Sequence, residues 1–382
     1  MGRLKAIWRC FDRSCTLEAQ EAFKDPAIHW LCWIFPLILF VIIGANFSEG
    51  TMLDLPVAVV DADKSELSRQ LIRDLEAGSH AQIVPYADLE ISLKRLRSAE
   101  DYAVLYIPHR FQQDVLAGKR PSVQMYYNAL FYGAGLYSTQ DFQTLITQLN
   151  AQYRALLVPM LQSESPMPPL AKITVNYDSL FNAGGNFIYY QQFTAIIHLL
   201  QLFVVTCMIY VLDKRKSLLR ARPFGVAVIG KLAPYTFVFS TLLLAQIAIM
   251  VFVFDAKVAG NPLYMLPVSF FYVIAAQCIG VLLFTFTPNN ITAYSLVGIC
   301  VSIAMSFSGM TVPELSMPLF ARMIAELQPL THALNAMFDI FLRNVTGSSI
   351  AAVCAVLMIY PTVTWFLVRK RLLKRYHLEG VL

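Results

Sequence analysis

The residues that stand out are polar groups inside long apolar stretches. Gln191, His198 and Gln201 share roughly one face of a helix in the uncharged run Phe187 to Leu212, and Gln246 and Gln277 interrupt two later uncharged runs. In an apolar bundle such groups need partners. Two kinds of chemistry are open to them: hydrogen bonds that tie one helix to another, or the polar lining of a path along which a substrate moves. Catalytic chemistry is harder to find. There is no Gly-x-x-x-x-Gly-Lys-Ser/Thr phosphate loop, no His-Glu-x-x-His and no Gly-x-Ser-x-Gly, so neither ATP hydrolysis nor common hydrolysis is signalled. His29, His80, His109, His198, His332 and His377 are scattered along the chain. No metal site, no catalytic residue and no cofactor of the chain's own is expected.

The elements that must hold these groups follow from composition. Of 382 residues, 57% are hydrophobic and 14% charged, which leaves too few polar side chains to cover a soluble globule. An ordinary soluble enzyme is excluded and a membrane protein is implied. Six windows have the ~20 uncharged residues that a crossing helix needs: Ala27 to Phe47, Phe187 to Leu212, Leu232 to Phe254, Pro262 to Thr287, Ile291 to Met310 and Ile350 to Val368. The first starts too far in, and carries Pro36 in mid-span, to be a cleaved signal. Basic residues orient the spans. Met1 to Pro26, Asp213 to Pro223 and the segment after Val368 each hold five Lys or Arg, whereas the short links on the other side hold Lys257, Arg322 and Arg343. Basic loops stay in the cytoplasm, so both termini are expected there, with the membrane crossed six times. Lys231, near the start of the third window, is expected to snorkel to the surface.

Ser48 to Asn186 lies outside on this reading, with 11 basic and 15 acidic residues and none of the seven cysteines. Short β-branched runs at Val57–Val60, Gln82–Val84, Tyr102–Ile107 and Val123–Tyr127 alternate with helical patterns at Glu66–Glu76, Asp88–Ser98 and Arg110–Ala117. That alternation predicts a small α/β sandwich. Ser65 is a candidate cap for the first helix. From Gly135, Phe142, Leu145, Ile146, Leu149, Tyr153, Leu156 and Leu157 mark one face of a long helix, with a returning strand at Ile173–Tyr177. Asp61-Ala62-Asp63 has the spacing with which some sugar-transferring enzymes hold a metal and a nucleotide sugar. Asp at the end of a strand is equally the ordinary turn and capping choice, and nucleotide sugars are absent outside the cell.

The expected fold is therefore an α-helical polytopic membrane protein with six transmembrane helices and an external α/β domain between the first and second. Residues 1–26 form a cytoplasmic amphipathic helix with Leu4, Ile7, Trp8, Phe11, Cys15 and Ala22 near one face. Residues 27–47 are the first span, 48–186 the external domain, 187–368 the remaining five spans, and 369–382 a basic cytoplasmic tail. Within the fourth of these regions, about 311–342 is apolar but broken by Pro313, Pro318 and Pro329 and reads as re-entrant.

Specific strings carry a family resemblance. Asp54-Leu55-Pro56-Val57-Ala58-Val59-Val60-Asp61 with Ser65 and Leu67-Ser68, and Phe111-Gln112-Gln113-Asp114-Val115-Leu116-Ala117-Gly118 with Pro121, resemble the external domain of the membrane subunit of ABC type-2 exporters, in the bacterial drug-export branch. Ser308-Gly309, Pro313, Ser316-Met317-Pro318 and Pro329-Leu330-Thr331-His332 resemble that family's block between spans five and six. The resemblance implies a permease that pairs with a separate nucleotide-binding ATPase subunit, on which ATP and Mg sit. It also implies a dimer with a second copy or a paralogous permease, and an adaptor protein and outer-membrane channel that extend the path. Membrane lipid is the surrounding partner, and nothing points to nucleic acid. The implied substrate is amphipathic or hydrophobic and drug-like; a lipid or lipid-linked product is the alternative, and a receptor or scaffold anchored by its spans is a third reading.

One stretch departs from the family. The loop after span two is usually acidic, Glu-Arg-Glu-x-Gly-Thr-like, and contacts the ATPase. Here it reads Asp213-Lys214-Arg215-Lys216-Ser217-Leu218-Leu219-Arg220-Ala221-Arg222-Pro223, and only Pro223 and Lys231 keep family positions. The expected coupling residues are thus Ile7, Trp8 and Phe11 of the N-terminal helix beside Lys214, Arg215 and Lys216 of the loop.

Overall fold

A computed structural model describes residues 2–46, 53–78, 80–98, 100–117, 121–127, 137, 140–151, 188–214, 223–309 and 314–378. The chain forms two compact units, Met1–Ser48 with Ser179–Leu382, and Glu49–Asp178. Helix α1 runs Gly2–Phe23. Asp25 then starts the next helix by accepting the Ala27 N–H at 3.1 Å, with Pro26 in the first turn, where a missing N–H costs nothing. This helix, α2, is Pro26–Asn46. It widens into a π-helical turn at Trp30–Ile34, where the Phe35 N–H reaches back to Trp30 O. Pro36 follows at once, and the wide turn gives its ring room beside the preceding carbonyls.

The second unit contains β1 Leu55–Asp61, α3 Glu66–Glu76, β2 Ala81–Pro85, α4 Leu89–Arg97, β3 Ala103–Ile107, α5 Phe111–Leu116 and β4 Gln124–Tyr127, then a helix α6 over 140–151. The sheet is mixed, in the order β2-β1-β3-β4. β1 is parallel to both neighbours, with Val57 opposite Ile83 and Ala103, and β4 is antiparallel to β3. Central strands covered on both faces read as unbroken apolar runs. Val57, Val59, Leu105 and Ile107 pack under Leu67, Leu71 and Leu75 of α3, Phe111 of α5 and Leu149 of α6, while Ala58 and Val104 pack on Leu96 of α4. Ser65 caps α3 through the Ser68 N–H at 3.1 Å. The strand expected at Ile173–Tyr177 and the end of the long helix lie outside the described residues.

The helical unit continues with a π-helical turn Ile188–Gln192 into α7 Phe193–Asp213, then α8 Phe224–Phe252, a 3-10 turn Pro262–Tyr264, α9 Met265–Phe286 and α10 Asn290–Ser306. A 3-10 turn Glu314–Ser316 precedes α11 Leu319–Glu326 and α12 Pro329–Phe338, a π-helical turn Asp339–Arg343 follows, and α13 Gly347–Leu357 and α14 Ile359–Leu378 close the chain. α7 lies at the centre, with Phe193, Ile197, Val204, Val205, Cys207 and Met208 buried.

Among the described residues five helices are long and apolar enough to cross a membrane: Pro26–Asn46, Phe193–Asp213, Phe224–Phe252, Pro262–Phe286 and Gly347–Tyr376. The window expected at Ile291 to Met310 holds the shorter α10, of 17 residues, about 25 Å at the usual ~1.5 Å rise. It ends because Phe307 closes the last turn on Ile303 O and Gly309 takes φ +86°, which turns the chain away. α8 starts at Phe224 rather than near Leu232 and carries Lys231 inside. The basic stretch after Val368 continues α14 as far as residue 378, with Leu372 and Tyr376 buried.

Candidate functional site

The polar residues of the spans separate into satisfied ties and open groups. Gln277 on α9 is a tie: its Oε1 accepts the Thr236 hydroxyl of α8 at 2.9 Å and its Nε2 lies 3.4 Å from Leu232 O. Gln201 is buried on α7, where the Tyr272 hydroxyl of α9 donates to Ile197 O at 2.8 Å and lies 3.3 Å from Gln201 Oε1. Among the described residues, Gln201 Nε2, His198 Nδ1, Gln246 Oε1 and both carboxamide atoms of the buried Gln192 have no partner. Gln191 is half-buried. Gln246 closes a cavity of about 10 Å³, room for roughly one water, together with Pro36 and Phe40 of α2 and Ala195, Leu199 and Phe203 of α7. The sequence pattern placed Gln191, His198 and Gln201 on one face; the neighbouring Gln192, which ends the π-helical turn, is as deeply buried as Gln201 and has both carboxamide atoms unpaired.

A second cluster gathers at one end of the bundle. The start of α2 meets the end of α7: the Tyr210 hydroxyl donates to Asp25 Oδ2 at 3.1 Å, and Lys214 donates to Tyr210 and stands 3.9 Å from Asp25. The end of α14 caps the same end. Arg375 donates to Phe284 O and, at 3.0 Å, to Thr287 O, reaches Asn290 Oδ1 at 3.2 Å, and stacks 4.0 Å over the Phe284 ring. Carbonyls left open at the end of α9 thereby gain a cationic donor. The Tyr376 hydroxyl donates to Leu212 O at 2.9 Å. Around these contacts the side chains of Lys5, Arg9, Arg13, Arg369, Lys370, Arg371 and Lys374 are exposed. Arg215 and Lys216 lie outside the described residues.

α1 completes this end, and the stripe it buries lies apart from its large apolar residues Leu4, Ile7 and Trp8. It seats the four-residue stripe Cys10, Ser14, Glu18 and Ala22, while Leu4 and Ile7 face outward and Trp8 is 67% exposed. Phe11 is half-buried with its ring 5.8 Å from that of Trp8. The stripe rests on α8, where Lys231 donates to Glu18 Oε2 at 2.9 Å and the Tyr235 hydroxyl to Glu18 Oε1 at 2.6 Å. Lys231 does not snorkel; it is wholly buried because Glu18 meets it there. A lysine in an apolar run is the sequence signal for a hidden partner, and the spacing of four in α1 points to Glu18.

At the other end, Ala259 and Gly260 donate to Phe341 O and Ile340 O, each at 2.9 Å, and the Lys257 N–H donates to the Tyr189 hydroxyl at 2.6 Å. Here too lies the segment expected to be re-entrant. Ser316, Pro318 and the apolar Leu319, Phe320, Met323 and Leu327 are exposed, Met317 is half-buried, and Pro329 opens the buried α12. His332 Nε2 sits 2.8 Å from Glu326 O, and Asn335 donates to Glu314 at 2.8 Å. Pro313 lies outside the described residues.

In the second unit, Asp61 and Asp63 hold the turn after β1 and the starts of the helices beside it. Asp61 accepts the N–H groups of Asp63 and Lys64 and the Ser68 hydroxyl, and Asp63 accepts the Gln112 N–H at 3.0 Å. Burial pushes the Asp63 carboxyl up, but hydrogen bonds from the Ser65 hydroxyl and the N–H groups of Gln112, Arg110 and Phe111 outweigh it and hold the group below the usual carboxylate range. Among the described residues no three His, Cys, Asp or Glu side chains are placed to hold a metal ion.

The family model for the ABC-2 family transporter protein matches residues 27–369. The inner membrane transport permease YhhJ of Escherichia coli (strain K12) is 22% identical over 348 residues, 86% of this chain and 87% of that protein. The linearmycin resistance permease protein LnrN of Bacillus subtilis (strain 168) is 26% identical over 109 residues, 28% of each chain. A match that runs from the first apolar helix through the four-stranded sheet to the last apolar helix covers the elements that build both units, and the chain accordingly belongs to the ABC-2 transporter family.

Proposed function

We propose that this chain is the permease of an ATP-driven exporter in the bacterial inner membrane, with the basic end of its bundle in the cytoplasm against a separate nucleotide-binding subunit that carries ATP and Mg. The observation that supports this most is the folding of α1, the end of α7 and the end of α14 to one end of the bundle, which brings basic side chains from three distant segments together. Basic residues flanking spans stay cytoplasmic. α10 is then the sixth crossing, at the short limit of the ~17–25 residues used by such helices, both termini are cytoplasmic, and the unit Glu49–Asp178 is periplasmic.

The substrate is amphipathic or hydrophobic and drug-like, a reading favoured by the likeness to LnrN, a linearmycin resistance permease. Gln191, His198, Gln201 and Gln246 are the candidate path residues; Gln277, held by Thr236, is the least available of the set. The working unit is a dimer with a second copy or a paralogous permease, and the external unit is the docking surface for an adaptor and an outer-membrane channel.

The test is reconstitution with the cognate ATPase. Substrate-stimulated hydrolysis is expected from the complex and none from this chain alone. In intact cells Ser98→Cys should react with a membrane-impermeant maleimide, and Lys370→Cys only after permeabilisation. The reverse labelling pattern would refute the orientation.

A further inference from the structure

Glu18 and Lys231 are opposite charges with no exposed surface, on helices whose paired residues lie 213 apart in sequence. Both carboxylate oxygens are engaged, Oε2 by the ammonium at 2.9 Å and Oε1 by the Tyr235 hydroxyl at 2.6 Å. Removing two charges from water is costly, and apolar side chains of similar volume often hold two elements together as well or better. What a buried charged pair adds is register. An apolar stripe can slide or turn on its neighbour, whereas Glu18 must stay opposite Lys231.

Two contacts nearby point the same way. A side chain at Gly230 would put its Cβ 2.8 Å from Phe11 O and 2.9 Å from Ser14 Cβ, so α1 lies directly on the backbone of α8. One and two turns from there, the Cys10 thiol approaches Pro223 O at 3.9 Å. α1 is thus fixed to α8 at three levels, Cys10, Ser14 and Glu18, while Ile7 and Trp8 on its other side stay free for a partner.

We propose that Glu18, Lys231 and Tyr235 form a register lock that makes α1 and α8 one lever, so that a displacement received on the outward face of α1 is delivered along α8 into the bundle. The lever role rests on the reading that an ATPase binds this end; the lock itself does not. The three residues position the lever and touch no substrate.

The lock is read on this chain alone, with genetically encoded spin labels replacing Gln20 and Ile229. A single narrow distance distribution is expected for the otherwise unchanged protein, and a broad one for Glu18→Gln and for Lys231→Met. Because either single variant removes one charge of a buried pair and can fail to fold, the deciding variant is the triple change Glu18→Met, Lys231→Met and Tyr235→Phe. It should retain folding, since no charge is stranded, and still broaden the distribution; Glu18→Lys with Lys231→Glu should narrow it again. In the reconstituted complex the triple variant should lower substrate-stimulated ATPase about tenfold, the effect of a rise of ~1.4 kcal/mol in the coupled barrier, and leave basal hydrolysis in place. A narrow distribution in the triple variant overturns the lock. A broad one with undiminished stimulation overturns the lever. If the unaltered complex shows no stimulation at all, the exporter reading and the lever fall together, and the label distances still decide the lock.

Discussion

Gly230→Ala is the smallest change that sets α1 against α8. The new methyl group would stand 2.8 Å from the Phe11 carbonyl oxygen and 2.9 Å from Ser14 Cβ, where ordinary contact begins near ~3.4 Å, so one helix must yield by about 0.6 Å. Neither neighbour is the free end of a flexible side chain. The adjacent Lys231–Glu18 contact of 2.9 Å would then stretch to about 3.5 Å, past good hydrogen-bond length. Against this, alanine is better than glycine in a helix interior by ~1 kcal/mol. Overpacking of a tight contact costs ~1–3 kcal/mol, and a weakened buried ion pair adds to it, so the net effect is a loss of about 1–2 kcal/mol, felt at the docking of α1. Trypsin provides the assay, since Lys5, Arg9 and Arg13 are exposed on α1 and cleavage there should quicken once the helix lifts. Thermal unfolding in detergent gives the global value. If Gly230→Ala raised the melting temperature and left the tryptic rate unchanged, helix propensity would have won and the close approach would not matter.

Further outcomes follow from the same contacts. Replacing Trp8 and Phe11 by Ala should change stability little, because Trp8 is mostly exposed and such changes cost under ~0.5 kcal/mol, yet should abolish substrate stimulation of the complex, while Lys214→Ala retains it; the opposite result would reverse the assignment of coupling to α1. Arg375→Ala should cost about 1–3 kcal/mol in thermal unfolding, as charged hydrogen bonds to carbonyls do, and Arg375→Lys should recover only part of it because a lysine cannot reproduce the forked contact. For Asp63 the folded carboxyl is held below its ordinary value of 3.8, so its contribution is present above that value and lost as pH falls through the lower folded one. Asp63→Ala should therefore weaken protection of the amides of 110–116 against hydrogen exchange at pH 7, by about 1 kcal/mol as for a lost cap, with the difference from the unaltered protein vanishing in acid.

What could be read from residue types depended on whether the decisive partner was local. In the sheet-bearing unit it was. The run Val57–Val60 pairs with strands on either side and is covered above and below, and Ser65 caps α3 through a residue three positions on, so period and cap signals alone place these elements. In the bundle, absence of charge marks the spans but not their ends. α10 stops at Ser306 although the uncharged window runs on, because Ser308-Gly309 turns without needing a charge. α8 begins eight residues before its window, because the lysine that closed the window is neutralised by an acid 213 residues earlier.

The N-terminal helix makes the same point about faces. Large apolar side chains at Leu4, Ile7, Trp8 and Phe11 mark the face that a soluble core would bury, yet α1 seats Cys10, Ser14, Glu18 and Ala22. In apolar surroundings large side chains gain nothing by leaving lipid for protein, and close approach of two backbones favours small residues with a polar pair between them. Read singly, Glu18 is an ordinary surface acid on an amphipathic helix and Lys231 a lysine near a span end. Each becomes intelligible only through the other, and Gly230 beside them is the vacancy that lets the two helices come close enough for that pair to close.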